Sequence, residues 1–198
     1  DRRRRLVLRV RLAVPLAIVF ALAGAPASAV QVYHTDQEAL ALAFPDATRI
    51  GRRTMVLDEA ARAKIAEKLG YATRDRVVVV QEAFRGDALL GRALVLEEIG
   101  KTLPFRFLVA VSPEGRVEQV LLLNYREPRG QEIEREAFRA QYQGKGIEDP
   151  IRRGQDIRNV TGATISVDSL SRGVRRALVL VEIAGGASPD AATANTGG

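Results

Sequence analysis

The chain has 198 residues, 46% hydrophobic and 27% charged, a balance that suits one globular domain with extensions and excludes a disordered polymer. It has no cysteine and a single histidine, His34, which removes disulfides, thiolate-held iron–sulfur clusters, Cys-x-x-Cys-His haem attachment and multi-histidine zinc sites. The net charge of +6 suggests a nucleic-acid binder only until it is located: residues 1–29 hold six arginines against Asp1, a balance of +5, which leaves +1 for the rest. No nucleic-acid partner is expected.

Residues 1–29 have the three parts of a secretory signal: an arginine-rich start, an apolar run from Leu12 to Ala23, and Ala27-Ser28-Ala29 as a small-x-small cleavage site. Leu12 to Val30 carries no charge and approaches the roughly 17–25 residues of a membrane span, so an uncleaved signal would anchor the protein to the inner membrane. Pro15 and the small residues from Gly24 to Ala29 favour cleavage. Arg4-Arg5-Leu6-Val7-Leu8-Arg9 also resembles a twin-arginine export motif. The expected location is periplasmic or otherwise extracytoplasmic.

Residues 30–72 read as a helical lead-in. A short helix is expected from Asp36 to Ala43, with Asp36 as cap, Leu40 and Phe44 on one face, and Pro45 as the stop. A second runs between Asp58 and Gly70, with Ala61, Ile65 and Leu69 at fourfold spacing.

The period then changes. Strands are expected over Arg76–Phe84, Ala88–Glu97, Pro104–Val111 and Arg116–Asn124, the last two joined through Ser112-Pro113-Glu114-Gly115 as a hairpin. Short connections make antiparallel pairing the default. The expected class is α+β, an antiparallel sheet of about four strands flanked by helices, with the principal domain over 73–183. Tyr125 to Gln131 reads as a loop and Ile133 to Tyr142 as a helix with Ile133, Ala137 and Gln141 on one face. Gly144-Lys145-Gly146 reads as a flexible loop with a mobile cation, and 184–198 as a disordered tail of Gly, Ala, Ser, Thr and Asn.

Between these lies Asp156-Ile157-Arg158-Asn159-Val160-Thr161-Gly162-Ala163-Thr164-Ile165-Ser166, followed by Val167, Leu170, Val174, Ala177, Leu178 and Val181 at helical spacing. The Gly-Ala pair lets the backbone bend and something bulky come close. Thr164 falls just before a helix start, whose unpaired N–H groups and positive dipole end favour an anion such as a phosphate. The residues alone leave two readings: an anion site, or a plain turn capped by Ser166 or Asp168. No His–Asp pair is at hand to make either threonine a nucleophile of turnover.

Thr161-Gly162-Ala163-Thr164 resembles the [Ser/Thr]-Gly-Ala-Thr signature of the FMN-binding domain family, which includes the flavin-carrying subunits of the sodium-pumping NADH:quinone reductase and of the Rnf complex. The likeness extends in order through Gly100-Lys101, Phe107 to Val111, Tyr125 to Gly130, Phe138 to Lys145 and Asp156-Ile157, as in a stand-alone periplasmic branch of that family. The resemblance implies covalent FMN, esterified through its phosphate to Thr164 by a separate Mg-dependent flavin transferase. It also implies membrane or periplasmic redox partners. Thr161, Gly162 and Ala163 complete the signature, and Glu127 and Gly130 match a family loop that lies against the flavin. Tyr125 is a candidate ring face, or else a tyrosine filling the core; Lys145 and Lys101 are candidate cations near the cofactor. One departure is Arg158, where many relatives carry Asp three residues before the first hydroxyl. The implied function is an exported electron carrier with no catalytic residue and no metal. The alternatives are a protein that binds FMN non-covalently and a cofactor-free exported binding or scaffold module of the same fold.

Overall fold

A computed structural model describes residues 31–127 and 129–186; the expected signal segment and the part of the expected tail beyond Gly186 lie outside the described residues, whereas Ala184–Gly186, expected in that tail, are the last turn of a helix in which Ala184 is buried. In chain order the elements are β1 (Gln31–Val32), α1 (Asp36–Ala43), β2 (Arg49–Val56), α2 (Glu59–Leu69), β3 (Val77–Arg85), β4 (Ala88–Ile99), β5 (Pro104–Val111), β6 (Val117–Tyr125), α3 (Glu136–Arg139) and α4 (Thr164–Gly186). The strands form one sheet in the order β1-β6-β5-β4-β3-β2, and every neighbouring pair is antiparallel. The α+β class and antiparallel pairing are those expected from the short connections.

Two strands were not foreseen. β1 is a two-residue edge on β6. β2 lies between the two lead-in helices and pairs over its whole length with β3, Arg49 opposite Phe84 through Val56 opposite Val77. Its sequence, Arg-Ile-Gly-Arg-Arg-Thr-Met-Val, has no period-two apolar pattern, because an edge strand is covered incompletely and exposed positions place little demand on residue type.

The helices follow from local chemistry. Around α1 the cap is Thr35, one residue before the expected Asp36: the Glu38 N–H donates to the Thr35 hydroxyl (3.2 Å) and the Thr35 N–H to the Glu38 carboxylate (2.8 Å), a closed capping box. Asp36, displaced into the helix, accepts instead from Arg106 at 2.9–3.0 Å. In α2 the Asp58 carboxylate caps the Ala61 N–H (2.7 Å), and Gly70 closes the helix at φ 78°, a left-handed conformation that suits glycine.

α4 and α2 cover one face of the sheet and α1 the other. The buried stripe of α4, Val167, Leu170, Val174, Ala177, Leu178 and Val181, packs in a core with Phe105, Phe107, Val109 and Leu122 of β5 and β6. Full burial of such a Leu or Val contributes about 1.5–3 kcal/mol. The helix approaches the sheet most closely at Gly173, where a Cβ would collide with the Phe107 ring.

The segment after β6 departs from the single helix expected over Ile133–Tyr142. It is a 3-10 turn (Gln131–Glu134), the one-turn α3, and a second 3-10 turn (Ala140–Tyr142). Its buried side chains are Ile133, Phe138 and Tyr142; Ala137 is exposed and Gln141 half-buried. Spacings of five and four do not fit one regular apolar stripe, and the chain breaks at Arg135 to bring all three inward. Among the described residues, no helix is long and apolar enough to cross a membrane.

Candidate functional site

α4 begins at Thr164, three residues before Val167, where the apolar spacing starts. The Val167 N–H donates to the Ala163 carbonyl (2.9 Å), so Ala163 supplies the first helical acceptor and Thr164 is the first residue of the helix. Neither expected cap acts as one. The Ser166 hydroxyl bonds the Tyr125 hydroxyl (2.7 Å), and Asp168 is held by Arg153 at 2.8 and 3.1 Å.

The turn into the helix is open. Gly162 has φ 84°, the left-handed region, and a Cβ built there would meet nothing within 4 Å. Thr161 and Gly162 are exposed, Ala163 is buried, and Thr164 is half-buried. The Thr164 hydroxyl donates to the Asn159 side-chain carbonyl at 3.4 Å, a long bond at the surface. Next to it Ile165 is 49% exposed, an apolar side chain turned outward beside the helix start.

The loop after β6 is brought against the signature by close packing. A Cβ at Gly130 (φ 90°) would lie 2.5 Å from the Tyr125 hydroxyl, 3.2 Å from Ser166 Oγ and 3.5 Å from Ala163 Cα. Gly130 is therefore the contact point between loop and helix. Tyr125 beneath it is buried, its hydroxyl donating to the Arg129 carbonyl (2.9 Å) and its ring tilted against Phe105 at 5.7 Å between centroids. Its ring offers no free face; Tyr125 supports the loop from inside.

Glu127 points into the opposite wall of that loop. It is 7% exposed, and its carboxylate accepts from the N–H groups of Thr102 (2.5 Å) and Leu103 (2.8 Å) and from the Thr102 hydroxyl. Burial opposes its ionisation, but the donated hydrogen bonds outweigh it and hold the carboxyl below the usual range. A Cβ at Gly100 would sit 3.1 Å from that carboxylate, so the Gly100–Leu103 turn folds closely around Glu127. Glu127 thus latches the β4–β5 turn, which carries exposed Lys101, to the loop that reaches the signature.

Lys145 is not a mobile cation. Its side chain is 18% exposed and pairs with Asp156 at 3.0 Å, while Asp156 accepts from the N–H groups of Ile151 (3.0 Å) and Arg152 (2.8 Å). Burial opposes the charge on Asp156; bonds from Arg152, Lys145 and Ile151 overcome it and keep its carboxyl below the ordinary value. Arg158 is held in its turn by Gln141, whose side-chain oxygen accepts from the Arg158 N–H at 2.8 Å. The structure therefore gathers Thr161–Thr164, Gly130, Tyr125 and Glu127 around the start of α4, and assigns Lys145 to bracing the loop that leads there.

The roles of Asn159 and Ile165 were not read from the sequence, and Ser166, expected as a cap, bonds Tyr125 instead. The only available signal was Ile165, an apolar residue off the buried stripe of its helix.

A phosphate monoester fits this place on the residues present. The first-turn N–H groups of α4 have no intrahelical acceptors, the acceptor hydroxyl is at the surface, and Gly162 leaves the approach clear.

Comparison with known proteins agrees with the motif. The family model of the FMN-binding domain matches residues 100–179, a span that contains the Glu127 latch, Gly130 and the whole signature. Among solved structures, the crystal structure of Shewanella oneidensis NqrC is similar with a TM-score of 0.46 and 18% identity, covering 69% of this chain and 79% of that one. No curated protein matches. Over residues 100–179 the chain is similar to the FMN-binding domain family.

Proposed function

We propose that this protein is an exported flavoprotein electron carrier that holds FMN through a phosphoester on Thr164. The observation that carries this reading is the position of that hydroxyl: first residue of α4, at the surface, inside the span matched by the FMN-binding domain. Bound FMN would supply one- and two-electron redox chemistry. The first-turn N–H groups of α4 would orient its phosphate, and Ile165 would offer apolar surface beside it. Gly130 and Glu127 would fix the loop that closes the other side.

A covalent tether suits an extracytoplasmic carrier, where free FMN is scarce and a dissociated flavin would not be replaced. The partners of this reading are a flavin transferase that makes the ester, and redox proteins in or near the membrane. Thr164 is then a tether with no part in turnover, in keeping with its distance in character from an activated nucleophile.

The reading is tested by co-expressing the full chain with a flavin transferase and running it under denaturing conditions. Flavin fluorescence that migrates with the polypeptide supports the ester. A yellow native protein that releases free FMN on denaturation supports non-covalent binding, and a colourless one supports the cofactor-free module.

A further inference from the structure

A cavity of about 380 Å³ lies along α4, lined by four arginines, Arg152, Arg153, Arg172 and Arg175, against the single carboxylate of Asp168. That carboxylate is already matched by Arg153. Arg175 donates one nitrogen to the carbonyls of Asp149 and Pro150, both at 2.9 Å, and Arg172 one nitrogen to Ser169 Oγ at 2.9 Å. Each guanidinium has five N–H donors, so most of the donor capacity around the cavity is unmatched. With Arg153 paired to Asp168, the charges of Arg152, Arg172 and Arg175 remain in one hollow, and Glu98 near Arg172 offsets them only in part.

The arrangement is held against strain. Ile151, in the cavity wall, has φ 43°, the one non-glycine residue with positive φ among the described residues, and it is β-branched. Asp156 clamps the N–H groups of Ile151 and Arg152, and Lys145 braces Asp156. Locked in this way, the loop sets Arg152 and Arg153 opposite Arg172 and Arg175 of the helix. Strained backbone that its surroundings over-determine gathers at binding sites. The remaining wall is apolar and aromatic: Leu69 and the 41%-exposed Tyr71, at the end of α2.

We infer that this cavity is a second ligand site, which takes a phosphoryl group carried on an apolar or planar body, the phosphoryl against the arginines and the body against Leu69 and Tyr71. Bidentate guanidinium pairing suits phosphoryl oxygens, and the aromatic wall selects against the free ion. The site goes beyond the flavin tether: its lining includes none of Thr161–Thr164.

Calorimetric titration of the full chain with phenyl phosphate, and separately with inorganic phosphate, tests this at low ionic strength. Saturable one-site binding of phenyl phosphate is expected, at least fivefold tighter than inorganic phosphate. It should weaken at least tenfold in Arg152→Gln/Arg172→Gln, while Arg85→Gln, which removes the same kind of charge at the β3–β4 turn, leaves it unchanged. Tyr71→Ala should erase the preference for the phenyl ester. No saturable binding, equal binding of the two probes, or equal loss in Arg85→Gln would overturn the inference. Thr164→Val protein should bind phenyl phosphate as tightly as the parent; a loss there would place the ligand at the flavin site and overturn the second site while leaving the tether reading standing.

Discussion

Thr161 and Thr164 are the same residue type three positions apart, yet only Thr164 is the first residue of α4, where the dipole and the unpaired N–H groups converge. Thr164→Val is expected to abolish covalent flavin under co-expression with the transferase, whereas Thr161→Val keeps it; mass spectrometry of the intact chain reads both. Glu127 gives a second residue-scale expectation. Its folded carboxyl is held below the usual value of about 4.3 for glutamate, so its stabilising effect is fully present above that value and is lost as pH falls through the lower folded value. Asp156 acts in the same direction. Glu127→Gln should therefore lower stability at neutral pH by about 1–3 kcal/mol, by weakening acceptance from the Thr102 and Leu103 N–H groups. The variant's stability should also fall less steeply than the parent's below pH 4; urea denaturation across pH measures this.

At the scale of elements, the site depends on α4 meeting the sheet at one end and the β6 loop at the other. Gly173→Ala places a methyl group into the Phe107 ring and should cost about 1–3 kcal/mol of stability. Flavin loading of the folded fraction should survive. Gly130→Ala meets both a left-handed backbone and the Tyr125 hydroxyl at 2.5 Å, and should cost a similar amount. In that variant the flavin content of the folded fraction should fall as well, because the loop moves off Ala163 and Ser166; thermal melts beside absorbance at flavin wavelengths separate the two cases. These elements were unequally legible. Asp58 and Gly70 bound α2 by local chemistry, and the apolar stripe of α4 is continuous, so both were readable. β2 was not, because an arginine-rich edge strand takes its identity from the neighbour it pairs with. The broken segment over 131–142 was misread as one helix because Ile133, Phe138 and Tyr142 reach the core through a change of direction that no single period records.

At the scale of the whole molecule, the six-stranded sheet acts as a platform that brings three distant stretches together: the turn at Gly100–Leu103, the loop from Tyr125 to Gly130, and the start of α4. The motif in the sequence located the hydroxyl, but the contacts that surround it are between residues up to 41 positions apart, such as Tyr125 with Ser166, and spacing along the chain does not encode them. The sequence gives Lys145 as a candidate cation near the cofactor, where the structure uses it to brace Asp156, and leaves Tyr125 as either a ring face or a core tyrosine, of which the structure shows the second. The proposed function stands or falls on whether Thr164 carries the flavin. Peptide mass spectrometry of the protein co-expressed with the transferase should show a peptide containing Thr164 heavier by one esterified FMN, and an unmodified Thr164 in protein that has met the transferase together with an activated FMN donor, whose leaving group departs as the ester forms, overturns the tether.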